Sequence, residues 1–310
     1  MNSLIITVNY RSGDCTLQFL KSASRLARFD TCHLVIVDNH SEDSSVACLR
    51  QAISEFPNVE LLTSAQNRGY FGAASWALRH YLESHTTPGW VVVCNNDIVF
   101  EDAQFLRLLL DRDPEAVGMI APSILSGLTG HDANPSIGQR PSRFRMLRYR
   151  MWLSNYYAMW FKQWLSPFVR RALRGSTRAT AGTGESVPCE IYAPHGAFMI
   201  FSRKFFEAGC YIDDGFFLYA EEFSVAEMCR KVGLRIVHDT ELKVWHQEGQ
   251  SSGRMLTRSI YQHQKEGFEY ALARYEDGYP GLGGDPARGT VSAKADIGSD
   301  FVSLSGDRVR

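Results

Sequence analysis

The chain has 310 residues, 45% hydrophobic, 22% charged and 12% aromatic, which excludes a disordered, collagenous or coiled-coil protein and allows a core without disulfide or metal staples. With 33 Lys and Arg against 34 Asp and Glu the net charge is -1, so nothing global points to nucleic acid or an acidic tail, and any charge signal must be local. Seven scattered cysteines (15, 32, 48, 94, 189, 210 and 229) with no CxxC pair read as thiols in a reducing compartment.

The N-terminus has no basic region and only a five-residue apolar run, Leu4 to Val8, which reads as a buried strand and not a signal peptide. No stretch approaches the roughly 18 apolar residues of a membrane span, so the expected location is the cytoplasm, with membrane contact only at a surface. Strands are predicted at Leu4–Val8, His33–Val37, Val59–Leu62, Trp90–Cys94 and Val117–Ala121, and helices at Asp14–Arg28, Ser44–Glu55, Gly72–Ser84 and Asp102–Arg112. This alternation indicates βαβ units and a mostly parallel sheet. Ligands of such sheets bind at the carboxyl ends of strands, here Asn9, Asp38-Asn39 and Asn95-Asn96-Asp97.

From Gly127 the character changes. Between Ala133 and Gly184 there are ten basic residues, Arg170, Arg171, Arg174 and Arg178 among them, and no acidic one, interleaved with aromatic residues from Phe144 to Phe168. A basic helix with an aromatic face suggests contact with an anionic membrane surface over 140–178, or a lid over an aromatic-lined site; a packed insertion with solvated arginines is the plain alternative. Ordered α/β sequence resumes with strands at Glu190–Ala193, Ala197–Phe201 and Leu234–Val237, helices at Ser224–Val232 and Thr257–Tyr275, and a tail with seven glycines in its last 33 residues that reads as disordered. The expected division is 1–126, a nucleotide-binding α/β half; 127–186, a basic aromatic insertion; 187–256, an acceptor-binding and catalytic half; 257–277, a helix; and 278–310, the tail.

Four constellations carry candidate chemistry. In VIVDNHSED (35–43) Asp38 can accept hydrogen bonds from a base or ribose, while Ser41 or Asp43 fits an N-cap. In VVVCNNDIVF (91–100) Asp97 suits a hard divalent cation bridging a diphosphate, with an Asx turn as the alternative. In GFFLYAEEF (215–223), partial burial beside aromatic rings would raise a glutamate toward a useful general base, although Glu221 and Glu222 also suit a helix's first turn. In LKVWHQEGQSSG (242–253), His246 ends an apolar strand and is a metal ligand in combination with Asp97, or a structural histidine.

In this order, with NRGYFGAASW (67–76) and PHGAFMIFSRKFFEAG (194–209) between them, the motifs resemble the bacterial family-2 glycosyltransferases, more narrowly rhamnosyltransferase-like, polysaccharide-assembling members, over about residues 3–253. The resemblance implies a GT-A fold: a Rossmann-like nucleotide-binding sheet, an acceptor-binding half, and inverting transfer from a UDP- or dTDP-sugar to a growing, lipid-linked, cell-surface glycan at the inner face of the membrane. It implies that Asn95-Asn96-Asp97 stands for the family's DxD element, Asp97 and His246 with Asn95 holding Mn2+ or Mg2+. It implies donor contacts from Asn9, Asp38, Asn39, Asn67, Arg68, Gly69, Asn96, His195 and Gly196, with Glu222 as general base and Glu221 beside it. The partners so implied are a nucleotide sugar and a glycan or lipid-linked glycan, not nucleic acid; aromatic residues of the insertion and last helix could also form a homodimer interface.

The sequence departs from the family pattern where Asn95 replaces the first Asp of DxD, and where Ser224 and Met228 replace an Asp and an Arg after the base. The latter loss implies that a structural ion pair is absent. A catalytically inactive carbohydrate-binding or scaffold subunit is the competing reading.

Overall fold

The protein is described by a computed structural model covering residues 2–173, 188–247 and 256–275; the Ser251–Gly253 loop, Arg174, Arg178 and the tail from 278 lie outside the described residues. In chain order the first elements are β1 (Ser3–Asn9), α1 (Gly13–Ala23), β2 (Cys32–Asp38), α2 (Ser45–Ile53), β3 (Val59–Thr63) and α3 (Tyr70–Leu82). These are followed by β4 (Trp90–Asn95), β5 (Ile98–Val99), α4 (Phe105–Leu110) and β6 (Met119–Ser126). The second part comprises α5 (Arg143–Leu153), α6 (Tyr156–Leu173), β7 (Cys189–Ile191), β8 (Phe198–Ser202), α7 (Arg203–Glu207), α8 (Glu221–Lys231), β9 (Ile236–His246) and α9 (Arg258–Arg274).

The strands form one sheet in the order β3-β2-β1-β4-β8-β6-β9-β5, with β7 also paired to β9. Its first four strands are parallel, and β1, β2 and β4 are buried on both faces, which is why they read as near-continuous apolar runs, whereas the edge strand β3 is only partly buried. Ile5, Leu34, Ile36 and Val92 share a core with Phe19 and Leu20 of α1. Leu4, Ile6, Val35, Val37, Val91 and Val93 share the other with Phe71, Ala74 and Ala77 of α3.

Beyond β4 the sheet is mixed, which corrects the expectation of a mostly parallel one. The strand β8 lies between β4 and β6 and is antiparallel to both, whereas β6 and β9 are parallel. A short helical crossover would force parallel addition; here a long insertion separates β6 from β8, and FMIFS, wholly buried, takes a central place. The ladder between β6 and β9 shifts register between Pro122 and Ser123, as expected where proline lacks a donor. Two boundaries matter for the site: α8 begins at Glu221 rather than Ser224, and the aromatic stretch before it is a loop with Tyr219 and Ala220 in the left-handed region, φ 71° and 70°.

The helices α5 and α6 lie against α9. Tyr149 packs edge-on against Phe268 at 4.9 Å, Tyr156 against Tyr261 at 5.5 Å, and the Tyr261 hydroxyl donates to the Leu153 carbonyl at 2.7 Å. The α9 end is tied down by buried hydroxyls: Tyr270 and Tyr275 donate to Asp213 at 3.1 and 3.2 Å, and the Ser224 and Tyr275 hydroxyls are 2.8 Å apart.

The insertion is also fastened by charge, through Glu227 and not through positions 224 and 228, where the sequence offers no ion pair. Glu227 is 0% exposed; Arg140 bonds both its carboxylate oxygens at 2.8 and 3.1 Å, Arg230 donates at 2.9 Å and the Tyr192 hydroxyl at 2.6 Å. Burial alone would raise this carboxyl, but the bonds from Arg140, Tyr192 and Arg230 outweigh it and hold Glu227 below the ordinary glutamate range. Ser224, whose family counterpart would be acidic, spends its hydroxyl on Tyr275. Replacing Glu227 by Ala removes the acceptor shared by three donors and should cost about 2–3 kcal/mol in urea unfolding; a loss no larger than that of a surface substitution would mean that the insertion is held by apolar packing alone.

Candidate active site

The carboxyl ends of β1, β2 and β4 end in short polar residues that satisfy one another. Asn9 Nδ2 donates to Asp38 Oδ1 at 2.7 Å and Ser41 Oγ at 3.1 Å, Ser41 Oγ donates to Asp38 Oδ1 at 2.5 Å, and Thr16 Oγ1 donates to Asn9 Oδ1 at 2.8 Å. Asn96 Nδ2 donates to Ser12 Oγ at 2.7 Å and Thr16 Oγ1 at 2.8 Å. Asn9 and Asp38 are buried, and leaving them unbonded there would be costly. Asn9 and Asp38 thus brace the ends of β1 and β2, and Asn96 ties the end of β4 to the start of α1.

A second brace fixes the loop before α3. Asn39 Nδ2 donates to Asn67 Oδ1 at 2.9 Å and the Gly69 carbonyl at 3.2 Å, Asn39 Oδ1 accepts from Arg68 N at 2.8 Å, and Asn67 Oδ1 accepts from Gly69 N at 3.0 Å. Gly69 has φ 72°, and a Cβ there would lie 2.2 Å from the Phe217 carbonyl oxygen, so no other residue fits without displacement. The half-buried Arg68 guanidinium lies 4.8 Å from the Trp76 ring centroid, leaving a cation at the rim of this loop.

The pairing of Ile98 with His246 brings two candidate ligands together. His246 Nε2 lies 3.0 Å from Asp97 Oδ1, a buried oxygen that makes no properly directed hydrogen bond. The His195 ring is 6.3 Å from that of His246, and Asn95 ends β4 beside them, its N–H donating to the Ala197 carbonyl at 2.9 Å. Among the described residues no cluster of three or more His, Cys, Asp or Glu could hold a metal by itself. A facing carboxylate and imidazole nevertheless fit Mn2+ or Mg2+, which take one or two protein ligands and fill the remaining positions with substrate phosphates and water.

Across from this cluster, the left-handed turn at Tyr219 and Ala220 delivers the two glutamates at the start of α8. They part company there. Glu221 is 4% exposed with Oε1 unbonded; burial, and secondarily the charge of Glu222, push its carboxyl up to about 8. Glu222 is half-exposed, its Oε1 accepts from Gly196 N at 3.2 Å, and the Tyr70 hydroxyl donates to the Gly196 carbonyl at 3.1 Å. His195 N in turn donates to Asn134 Oδ1 at 2.8 Å, and Asn134 Nδ2 donates to the Pro122 carbonyl at 2.7 Å.

Glu222 also lines a cavity of about 480 Å³, walled by Tyr149, Trp152, Phe223 and Phe268 and by the cations Arg145, Arg148 and Lys162. Glu221 does not line it. The structure thus gathers Asp97, His246, His195, Gly196 and Glu222, with Asn39, Asn67, Arg68 and Gly69 in the adjoining loop. Sequence reasoning missed Asn134, Tyr70 and Tyr149. Tyr70 stands in the NRGYFG motif and could have been noticed there; Asn134 has no local signal, since its partner His195 is 61 residues away.

Such a sheet, with polar strand ends facing a glutamate-bearing helix, is the GT-A glycosyltransferase fold. A sequence profile described as glycosyl transferase family 2 matches residues 4–209, and the chain belongs to that family. It is 24% identical over 279 residues, covering 87% of this chain and 84% of the other, to an N-acetylglucosaminyl-diphospho-decaprenol L-rhamnosyltransferase of Mycobacterium tuberculosis. Similar solved structures include S. aureus TarS 1–349, with a TM-score of 0.54 and 11% identity over 93% of this chain and 68% of that one. Another is GalNAc-T7 with UDP, GalNAc and Mn2+, with a TM-score of 0.53 and 13% identity over 94% and 53%.

Folded Glu221 holds its proton more tightly than the unfolded chain does, so its contribution to stability is lost as pH rises from the ordinary glutamate range toward about 8. Glu221→Gln removes that slope. The melting-temperature difference between variant and wild type should move in the variant's favour by about 3 °C or more between about pH 5 and about pH 8.5, equivalent to roughly 1 kcal/mol in a chain this size; a constant difference would show that Glu221 titrates normally.

Proposed function

We propose that this chain is an inverting glycosyltransferase that moves a sugar from a UDP- or dTDP-linked donor to a hydroxyl of a lipid-linked glycan at the inner face of the cell membrane. The observation that carries this reading is the placement of Glu222. It lines the cavity through one face and is hydrogen-bonded through Gly196 to the segment that holds His195 near His246 and Asp97.

The donor diphosphate would lie at the carboxyl ends of β4 and β9, and the acceptor in the cavity. Glu222 takes the proton of the acceptor hydroxyl as its oxygen bonds to the anomeric carbon from the face opposite the diphosphate; the carbon–oxygen bond to the diphosphate breaks and the nucleoside diphosphate leaves. The Gly196 N–H holds the Glu222 carboxylate in place, and Glu221, buried and protonated at neutral pH, keeps the pair from carrying two adjacent charges. Asp97 and His246 would hold a divalent cation, with Asn95 beside them, and the cation would supply charge against that building on the leaving group. Mn2+ in GalNAc-T7 and the lipid diphosphate in the mycobacterial enzyme's name support these two assignments.

The location is supported by the surface of the insertion. No described helix is long and apolar enough to cross a membrane, yet eight of the twelve exposed large hydrophobic residues among those described lie on α5 and α6. Phe144, Leu147 and Met151 follow one face of α5, and Trp160, Phe161 and Trp164 one face of α6, with Phe144 71% and Trp164 52% exposed. An apolar patch of this kind on a basic element suits the interface of an anionic bilayer.

Nucleotide binding and catalysis separate the enzyme from an inactive carbohydrate-binding subunit. With UDP, dTDP, GDP or CMP at 100 times its dissociation constant, one base should stabilise the protein by about 2.7 kcal/mol in a Mn2+- or Mg2+-dependent manner lost in Asp97→Ala. Glu222→Gln should keep that stabilisation and lose about 10²–10⁴ in turnover; stabilisation by no nucleotide, or full turnover in Glu222→Gln, would defeat the reading. Trp160→Ser with Trp164→Ser should reduce cosedimentation with phosphatidylglycerol vesicles at least about fivefold, and unchanged sedimentation would remove the membrane assignment.

A further inference from the structure

The cavity beside Glu222 has a charge pattern that the transfer chemistry does not use. Arg145 and Arg148 from α5 and Lys162 from α6 line it together, and none of the three forms an ion pair with a carboxylate among the described residues. The Lys162 ammonium lies 4.5 Å from the Tyr149 ring centroid. It is held below the ordinary lysine range first by burial and then by the charges of Arg148 and Arg145. Three like charges gathered at the wall of a half-enclosed aromatic chamber repel one another unless an anion shares the space. Glu222 in the same wall is bonded to Gly196.

Resting on the reading of a lipid-linked acceptor given above, we propose that Arg145, Arg148 and Lys162 form the subsite for the acceptor's diphosphate, the group that joins its first sugar to the lipid. Guanidinium groups offer forked donors matched to phosphate oxygens, and the lysine adds a compact charge. Tyr149, Trp152 and Phe268 supply apolar and ring surfaces for the sugar and the start of the lipid, and Glu222 then faces the sugar's free hydroxyl. The donor's diphosphate belongs elsewhere, since neither Asp97 nor His246 lines this cavity. The same two helices expose the apolar face assigned above to the bilayer, so a lipid could remain in the membrane while its head group enters the chamber.

The test uses geranyl diphosphate, inorganic pyrophosphate and geraniol as probes, measured by calorimetry on the full chain in EDTA, with UDP and dTDP, each plus Mn2+, as parallel arms. Wild type should bind geranyl diphosphate more tightly than geraniol and release it to pyrophosphate. The double variant Arg148→Ala/Lys162→Met should bind it at least about tenfold more weakly, whereas Lys162→Arg and Arg143→Ala, the latter outside the cavity wall, should stay within about twofold. Binding of UDP or dTDP, whichever the wild type takes, should be equal in all of them, which also reports that the variants fold. Failure of wild type to bind geranyl diphosphate, equal binding by the double variant, or equal affinity for geraniol would overturn the proposal. A parallel loss of that nucleotide's binding would assign the cations to the donor and overturn it as well. If wild type binds UDP or dTDP but not geranyl diphosphate, only this inference falls; if it binds none of the three, the proposed function falls with it.

Discussion

The arrangement of the site depends on a short piece of backbone, the Phe217–Ala220 loop, being gripped from two sides. On one side Gly69 approaches so closely that a Cβ would lie 2.2 Å from the Phe217 carbonyl, and that carbonyl accepts the Tyr70 N–H at 2.9 Å. On the other, a Cβ on Gly267 of α9 would lie 2.5 Å from the Tyr219 carbonyl. Between the two contacts, Tyr219 and Ala220 are held with positive φ, a conformation that ordinary residues keep only when their surroundings dictate it. The loop orients the first turn of α8, so Glu222 is located relative to both the nucleotide-side loop and the C-terminal helix.

Much of this was legible in the sequence because the signals are local. Apolar runs of β-branched residues marked β1, β2 and β4, and polar residues at their ends marked the sheet edge where ligands bind. The pairing of Asp97 with His246 followed from two strand-end motifs read together. What was not legible is long-range. Nothing in FMIFS says that it pairs between β4 and β6, and nothing around Glu227 says that Arg140, 87 residues earlier, is its partner. Asn9, Asp38 and Asn96 are marked by their strand-end positions; the bonds they make to one another and to Ser12, Thr16 and Ser41 depend on side-chain geometry that spacing does not carry. Only the resemblance to the family singled out Glu222 from Glu221; the first turn of α8 gives the two different surroundings.

The family match ends at residue 209, before either glutamate, His246 or α9. The matched part holds the strand-end braces and Asp97, and also covers the insertion; the unmatched part provides the candidate base, the second candidate ligand and the helix against which α5 and α6 pack. The sheet edge carries carboxylate and imidazole groups, suited to a cation, whereas the cavity wall built by α5 and α6 is cationic. Two anionic groups could therefore approach Glu222 from opposite sides without sharing a binding surface.

The place of β8 in the sheet has a consequence for how the molecule is made. A chain emerging from the ribosome presents β4 and β6 more than 70 residues before β8 exists to join them, and β6 must also wait for β9. The parallel layer β3-β2-β1-β4 can assemble early, but its β4 edge stays open and apolar until the insertion has been synthesised. Such non-local pairing slows folding and exposes strand edges meanwhile.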